Sequence, residues 1–140
     1  MAIARHNTWS HQRRGGTLVE TAIVITLLMV LTLGLLEYGW LFLKSQQVTN
    51  ATRQGARVGA RVDAGTADIN QAIADAMNVA GLGGSGYTVM IDPADVESLD
   101  PGTLFTVSVS VAYTAVGLGM PLVPVPDTIS ASLSMAREGP

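Results

Sequence analysis

Two arginines, two glycines and a glutamate stand at the threshold of an apolar stretch. The segment reads Arg13-Arg14-Gly15-Gly16-Thr17-Leu18-Val19-Glu20 and is followed by an uncharged run from Thr21 to Leu36. A carboxylate at the start of a membrane-length segment is costly unless it is paired or protonated. Cleavage between Gly15 and Gly16 would make Gly16 a new N-terminus, positively charged at the cytoplasmic face, with Glu20 as the fifth residue. Pairing of Glu20 with such an amine, especially that of a neighbouring subunit, would relieve the cost and set axial register between helices. Glycine before the cut suits a peptidase that needs close access to the backbone. The paired glycines permit a cut after Gly15 or after Gly16, and only the first places Glu20 fifth. A twin-arginine or ordinary export signal fits less well. Glu20 interrupts its apolar core, and no small-x-small cleavage site follows directly. A plain signal anchor leaves Glu20 without a purpose.

Elsewhere the sequence offers little chemistry. The two histidines, His6 and His11, both precede the apolar run. They read as exposed residues of a short polar leader, because no carboxylate or third histidine lies near enough to complete a metal site. Without a histidine further on there is no Ser-His or Asp-His base. Asp92, Asp95, Glu97 and Asp100 cluster in one loop, but their spacing does not match an EF-hand, and a solvated acidic turn is the better reading. Gly83-Gly84-Ser85-Gly86 lacks the following Lys-Ser/Thr pair of a phosphate cradle and reads as a plain loop. The chain has no cysteine, which excludes disulfides and thiol chemistry. The part beyond the apolar run is therefore read as non-enzymatic, with no catalytic residue, no metal, no cofactor and no small-molecule substrate.

These residues must be carried by a membrane element. The chain has 140 residues, of which 48% are hydrophobic and 14% charged, with a mean hydropathy of +0.35. The apolar excess lies between Thr17 and Leu43, and roughly twenty apolar residues cross a bilayer. Glu20 and Glu37 fall near the two ends of the span, and Tyr38, Trp40 and Phe42 suit an aromatic belt at its outer interface. The net charge of -3 conceals an asymmetry. Arg5, Arg13 and Arg14 precede the span without an acid, whereas from Asp63 onward the only base is Arg137. Basic flanks stay cytoplasmic, so the N-terminus is expected inside and the acidic C-terminal part outside. That acidity argues against nucleic acid as a partner. The expected organisation is a leader at 1–15, a transmembrane helix at 16–43 and an extracytoplasmic domain at 44–138.

Helical character continues past the membrane. Lys44 to Val62 holds no proline, so a continuous helix from about Leu18 to Val62, on the order of 65 Å long, is expected. Arg53, Arg57 and Arg61 recur every four residues as a basic stripe. Ala51, Gly55 and Gly59 recur likewise, about 200° away around the helix. Each interior glycine costs about 1 kcal/mol relative to alanine, which close approach of a sheet or another helix would offset; a kink at the glycines is the alternative. A second helix, capped by Thr66 or Asp68, presents Ile69, Ala72, Ile73, Ala76, Met77 and Ala80 on one face and ends at Gly81. Tyr87–Asp92, Phe105–Tyr113 and Ile129–Met135 read as strands, the last two by strict alternation. The expected fold is α+β: a long N-terminal helix, transmembrane then amphipathic, packed on a small antiparallel sheet of about three strands with one extra helix.

In order and spacing these elements resemble the TadE-like family of pseudopilins of the tight-adherence (Flp) pilus system. The resemblance rests on Arg13-Arg14-Gly15, Glu20, the run Thr21–Leu36, Glu37-Tyr38-Gly39 and Asn50-Ala51-Thr52-Arg53-Gln54-Gly55-Ala56-Arg57. The strands Val107–Tyr113 and Ile129–Glu138 also look like the family's ending, while Thr21 stands where the family usually carries an aromatic residue. The resemblance implies a pilin-like fold and processing at Gly15 by a prepilin peptidase, an aspartate protease of the inner membrane. It further implies a minor, type IV pilus-like subunit that works with other pilins and the pilus assembly machinery in cell adhesion. On this view Glu20 and Glu37 are the register and assembly residues, and the small and basic stripes serve helix packing. The competing expectation is a ligand-binding or sensory module on a signal anchor.

Overall fold

The computed structural model describes residues 14–119 and 123–139. Its elements run α1 (Arg14–Gly59), α2 (Thr66–Val79), β1 (Thr88–Asp92), β2 (Leu104–Ala112), α3 (Tyr113–Val116) and β3 (Thr128–Ala136). The expected α+β architecture is observed. At 46 residues, α1 is roughly 70 Å long. It starts four residues earlier than expected and stops three residues sooner, and it passes Gly55 without a break. The histidines and most of the proposed leader lie outside the described residues.

Helix α2 packs across the outer half of α1, with Ile69, Ile73 and Met77 fully buried. Neither expected residue occupies the N-cap position itself, but Asp68 helps to hold the N-terminus. Gly65 is the N-cap, and Asp68, three residues on, accepts the Gly65 N–H at 2.9 Å. Thr66 instead donates to the Ala94 carbonyl, at 2.7 Å. The helix closes as expected at Gly81, whose φ of 70° is the left-handed conformation that a Schellman ending requires. Leu82 N–H reaches Met77 O at 2.7 Å and Gly81 N–H reaches Asn78 O at 3.0 Å. The buried Leu82 and Met77 side chains belong to the same core.

The three strands form one antiparallel sheet in the order β1-β2-β3. Alternation divides its faces. Phe105, Val107, Val109 and Val111 are buried toward the helices, opposite Met135, Leu133, Ala131 and Ile129 of β3. On the other face hydroxyls pair across strands: Thr106 with Ser134 at 2.8 Å, Ser108 with Ser132 at 2.9 Å, and Thr88 with Ser110 at 2.7 Å. Such cross-strand pairs fix register, since a slip of one residue would turn the valines outward. Tyr113 departs from its expected place at the end of the strand. It opens the one-turn helix α3, and its N–H donates to Asp127 O at 2.8 Å.

Candidate assembly helix and its junction with the sheet domain

The first half of α1 is bare. Every described side chain from Gly16 to Thr32 is exposed, and Gly34 is the first buried position. From Gly16 to Leu36 the helix rises roughly 31 Å at 1.5 Å per residue, against a hydrocarbon core of about 30 Å. It is the one described helix long and apolar enough to cross a membrane, and it is compatible with a single-pass anchor.

The polar groups in this stretch are of two kinds. Thr21, Thr26 and Thr32 each donate their hydroxyl to the carbonyl four residues back, on Thr17, Ala22 and Leu28, all at 2.8 Å. Back-bonded in this way, a threonine satisfies its own donor in a medium without water. Glu20 is different. It is the only ionisable residue between Gly16 and Leu36, it is exposed, and no side chain among the described residues pairs with it. Gly15 and Gly16 lie in the first turn of the helix, and nothing among the described residues lies within 4 Å of where a Gly16 side chain would stand.

Glu37 has the opposite environment. It is buried, and Tyr113 donates its hydroxyl to Glu37 Oε1 at 2.5 Å. Burial pushes the Tyr113 hydroxyl up to about 12, and the hydrogen bond and charge of Glu37 act in the same direction. One turn of helix around this pair is tied to the segment after β2. Tyr38 Oη donates to Pro124 O at 3.0 Å and Trp40 Nε1 donates to Val116 O at 2.7 Å. Lys44 Nζ stands 4.7 Å from the centre of the Trp40 ring, within cation–π range. A side chain at Gly34 would meet Val123 at 3.2 Å. Of the three expected belt aromatics, Tyr38 and Trp40 therefore direct their polar tips into the protein, and Phe42 stays 66% exposed.

Further along α1 the two stripes occupy opposite environments. Ala51, Gly55 and Gly59 are buried, whereas Arg53 and Arg57 are exposed and without an ion pair among the described residues. The glycines admit α2. A Cβ at Gly55 would stand 2.5 Å from Ile73, and one at Gly59 would stand 2.6 Å from Ile69 and 2.9 Å from Phe105. Arg61 does not continue the helical stripe. It lies in the turn after α1 and pairs with Asp63 at 2.8 Å, where both groups are open to solvent and the bond contributes little.

The residue that sequence reasoning missed is Arg137. It is buried at the end of β3 and donates to the carbonyls of Ala64 at 2.8 Å, Val62 at 2.7 Å and Gly59 at 3.3 Å. A guanidinium thus satisfies acceptors that the end of α1 leaves open, where the helix dipole favours a cation. Its being the lone base in an acidic half was the available signal. The acids of the 92–100 loop contribute no cluster: no group of three or more potential ligands is placed to hold a metal among the described residues.

A family model described as TadE-like protein matches residues 15–57. The match spans the exposed apolar half of α1, Glu20, Glu37 and the small stripe as far as Arg57, and it ends before the sheet. No curated protein and no solved structure matches the chain significantly. Over residues 15–57 the N-terminal helix of this chain is similar to the TadE-like family model, in agreement with the resemblance carried by its residues.

Proposed function

We propose that the protein is a minor pseudopilin that supports biogenesis of a tight-adherence pilus. Its N-terminus lies in the cytoplasm, α1 crosses the inner membrane, and the sheet domain stands outside. A prepilin peptidase cuts after Gly15, and the freed Gly16 amine of one subunit meets Glu20 of the next. The observation that carries this reading is the contrast between Glu20 and its neighbours. Each threonine at 21, 26 and 32 satisfies its own hydroxyl within the helix, while the one carboxylate of the span is exposed with no partner among the described residues. An unpartnered carboxylate in hydrocarbon calls for a cation from another chain. The exposed arginines at 53 and 57 offer a second contact for acidic neighbours once the helices lie side by side. Glu37 is assigned to the interior of the subunit, where it meets Tyr113.

The test is a comparison of Glu20→Leu with Glu20→Asp in cells that assemble the pilus. Loss of incorporation and of pilus formation in Glu20→Leu, with membrane level and processing retained, supports the assembly role. Full assembly by Glu20→Leu, together with saturable binding of a small ligand to the outer domain, selects the binding module instead.

A further inference from the structure

We infer that the free edge of β3 pairs, strand parallel to strand, with β1 of a second copy of this chain, so that neighbouring sheet domains join edge to edge. The inference rests on reading α1 as a membrane span, which points every copy the same way. The ladder between β2 and β3 is prolonged at its two ends by Tyr113 N–H to Asp127 O and by Arg137 N–H to Thr103 O. Hydrogen-bonded pairs alternate along an antiparallel ladder, so the odd-numbered residues of β3 bond to β2. Ser130, Ser132 and Ser134 therefore aim their backbone N–H and C=O groups away from it. Nothing among the described residues takes up these groups. The strand runs for nine residues without a charge, a proline or a bulge, so none of the usual devices blunts its edge.

Direction selects the occupant. Helix α1 shares a groove with Ile129 at Leu41 and meets Arg137 at Gly59, so it runs alongside β3 in the same sense. Antiparallel pairing of β3 with its own copy would reverse the second α1 and point the two spans in opposite directions. Strand β1 is antiparallel to β2, as β3 is, so a copy shifted sideways offers β1 parallel to β3 with both spans aligned. The outer edge of β1 is also untaken among the described residues. Such a contact joins two different surfaces and can repeat. The apolar rows match: Leu133 and Met135 of β3 and Val89 and Ile91 of β1 face the helices and are only half-buried. The charges match as well. Phe42 lines the groove beside Thr128 and Ser130 of the free edge, and Arg53 stands about 20° from Phe42 around the helix. Arg53 and Arg57, both exposed, thus flank the β3 side. Strand β1 and the loop after it carry the exposed Asp92 and Asp95 and no base. Asp92 is level with Thr106 and, through it, with Ser134, toward the end of the sheet where α1 carries these arginines.

Met90 and Ser132 are both level with Ser108 on the hydroxyl face, so an unshifted copy sets Met90 beside Ser132. The chain has no cysteine, so introduced thiols report cleanly. The full chain carrying Met90→Cys is mixed with Ser130→Cys, Ser132→Cys or Ser134→Cys, reconstituted in vesicles of phosphatidylethanolamine and phosphatidylglycerol, and oxidised with copper phenanthroline. Resistance to alkaline carbonate reports the span. The inference expects disulfide-linked dimers from at least one mixture, several-fold above any single variant alone. Arg53→Glu/Arg57→Glu in the chain that carries the serine replacement should lower the yield several-fold, and Asp92→Lys/Asp95→Lys in the Met90→Cys chain should restore it. Dimers of Ser132→Cys alone, as abundant as those of the mixtures, would show antiparallel edges and overturn the inference. Absence of dimers from all three mixtures, in chains that resist carbonate, overturns the pairing and leaves the span intact. Release of the chain by carbonate overturns the span and the pairing together.

Discussion

Tyr113, the first residue of α3 directly after β2, donates its hydroxyl to the buried carboxylate of Glu37 across 76 residues of sequence. This bond joins the sheet domain to the helix at the level where the bare apolar surface ends. Removing the donor leaves a buried carboxylate oxygen short of a partner, which costs about 1–3 kcal/mol. Tyr113→Phe should lower the stability of the outer domain by that amount in detergent-micelle unfolding. In Glu37→Gln, which keeps an acceptor, the loss should be smaller. Equal losses in Tyr113→Phe and in Tyr113→Phe/Glu37→Leu would show that the bond is not the source.

The same pair predicts a pH dependence. The tyrosine hydroxyl normally ionises near 10 and is pushed up to about 12 in the folded chain. A proton held more tightly when folded contributes stability that is complete below the unfolded pKa and is lost as pH rises through the folded one. The stability difference between the parent and Tyr113→Phe should therefore be flat up to pH 10 and shrink between 10 and 12. A difference that stays constant across that window contradicts the assignment.

Arg137 should behave as the outer clamp of α1. Arg137→Met leaves the Ala64 and Val62 carbonyls without their donor and should cost about 2–3 kcal/mol. Arg137→Lys should recover only part of this, because an ammonium cannot reach all three carbonyls in the fixed fork of a guanidinium. Amide exchange near residues 57–64 should rise in both variants, more in Arg137→Met. Unchanged exchange there would assign the stability of this end to other contacts.

The glycines of α1 should divide by what faces them. Gly55→Ala and Gly59→Ala place a methyl into Ile73 and Ile69 and should each cost about 1–3 kcal/mol by overpacking. Gly39, with nothing among the described residues within 4 Å, should accept alanine with a gain of about 1 kcal/mol in helix propensity. Thermal unfolding of the three variants checks the order. Destabilisation by Gly39→Ala comparable to that of Gly59→Ala would show that an unseen neighbour packs there.

Much of this architecture is legible in the residues because it follows local periodicity. The four-residue recurrence of Ala51, Gly55 and Gly59 marks a close-packed face, and the Val–Ser alternation of 107–111 marks a half-buried strand. What escaped depends on contacts remote in sequence or on competition at an element's end. Tyr113 continues the strand's alternation, yet the chain turns there into α3 and its ring meets Glu37. Asp68 carries the oxygen expected of a cap, but serves from the third helical position by accepting from Gly65. Arg137 reads as a solvated charge until the end of α1 is placed beside it. In the candidate site, Glu20 was conspicuous because a charge breaks an apolar run, whereas the burial of Glu37 could not be read from its position at the other end of the same run.

The central claim is that the threshold of α1 is a processing and assembly signal, and the mature N-terminus tests it most directly. The protein is isolated from cells that carry the peptidase, and its mass and N-terminal peptide are measured. The account predicts a chain beginning at Gly16, with Glu20 fifth, and an unprocessed chain in Gly15→Val. Retention of residues 1–15 by the parent protein in those cells would contradict it.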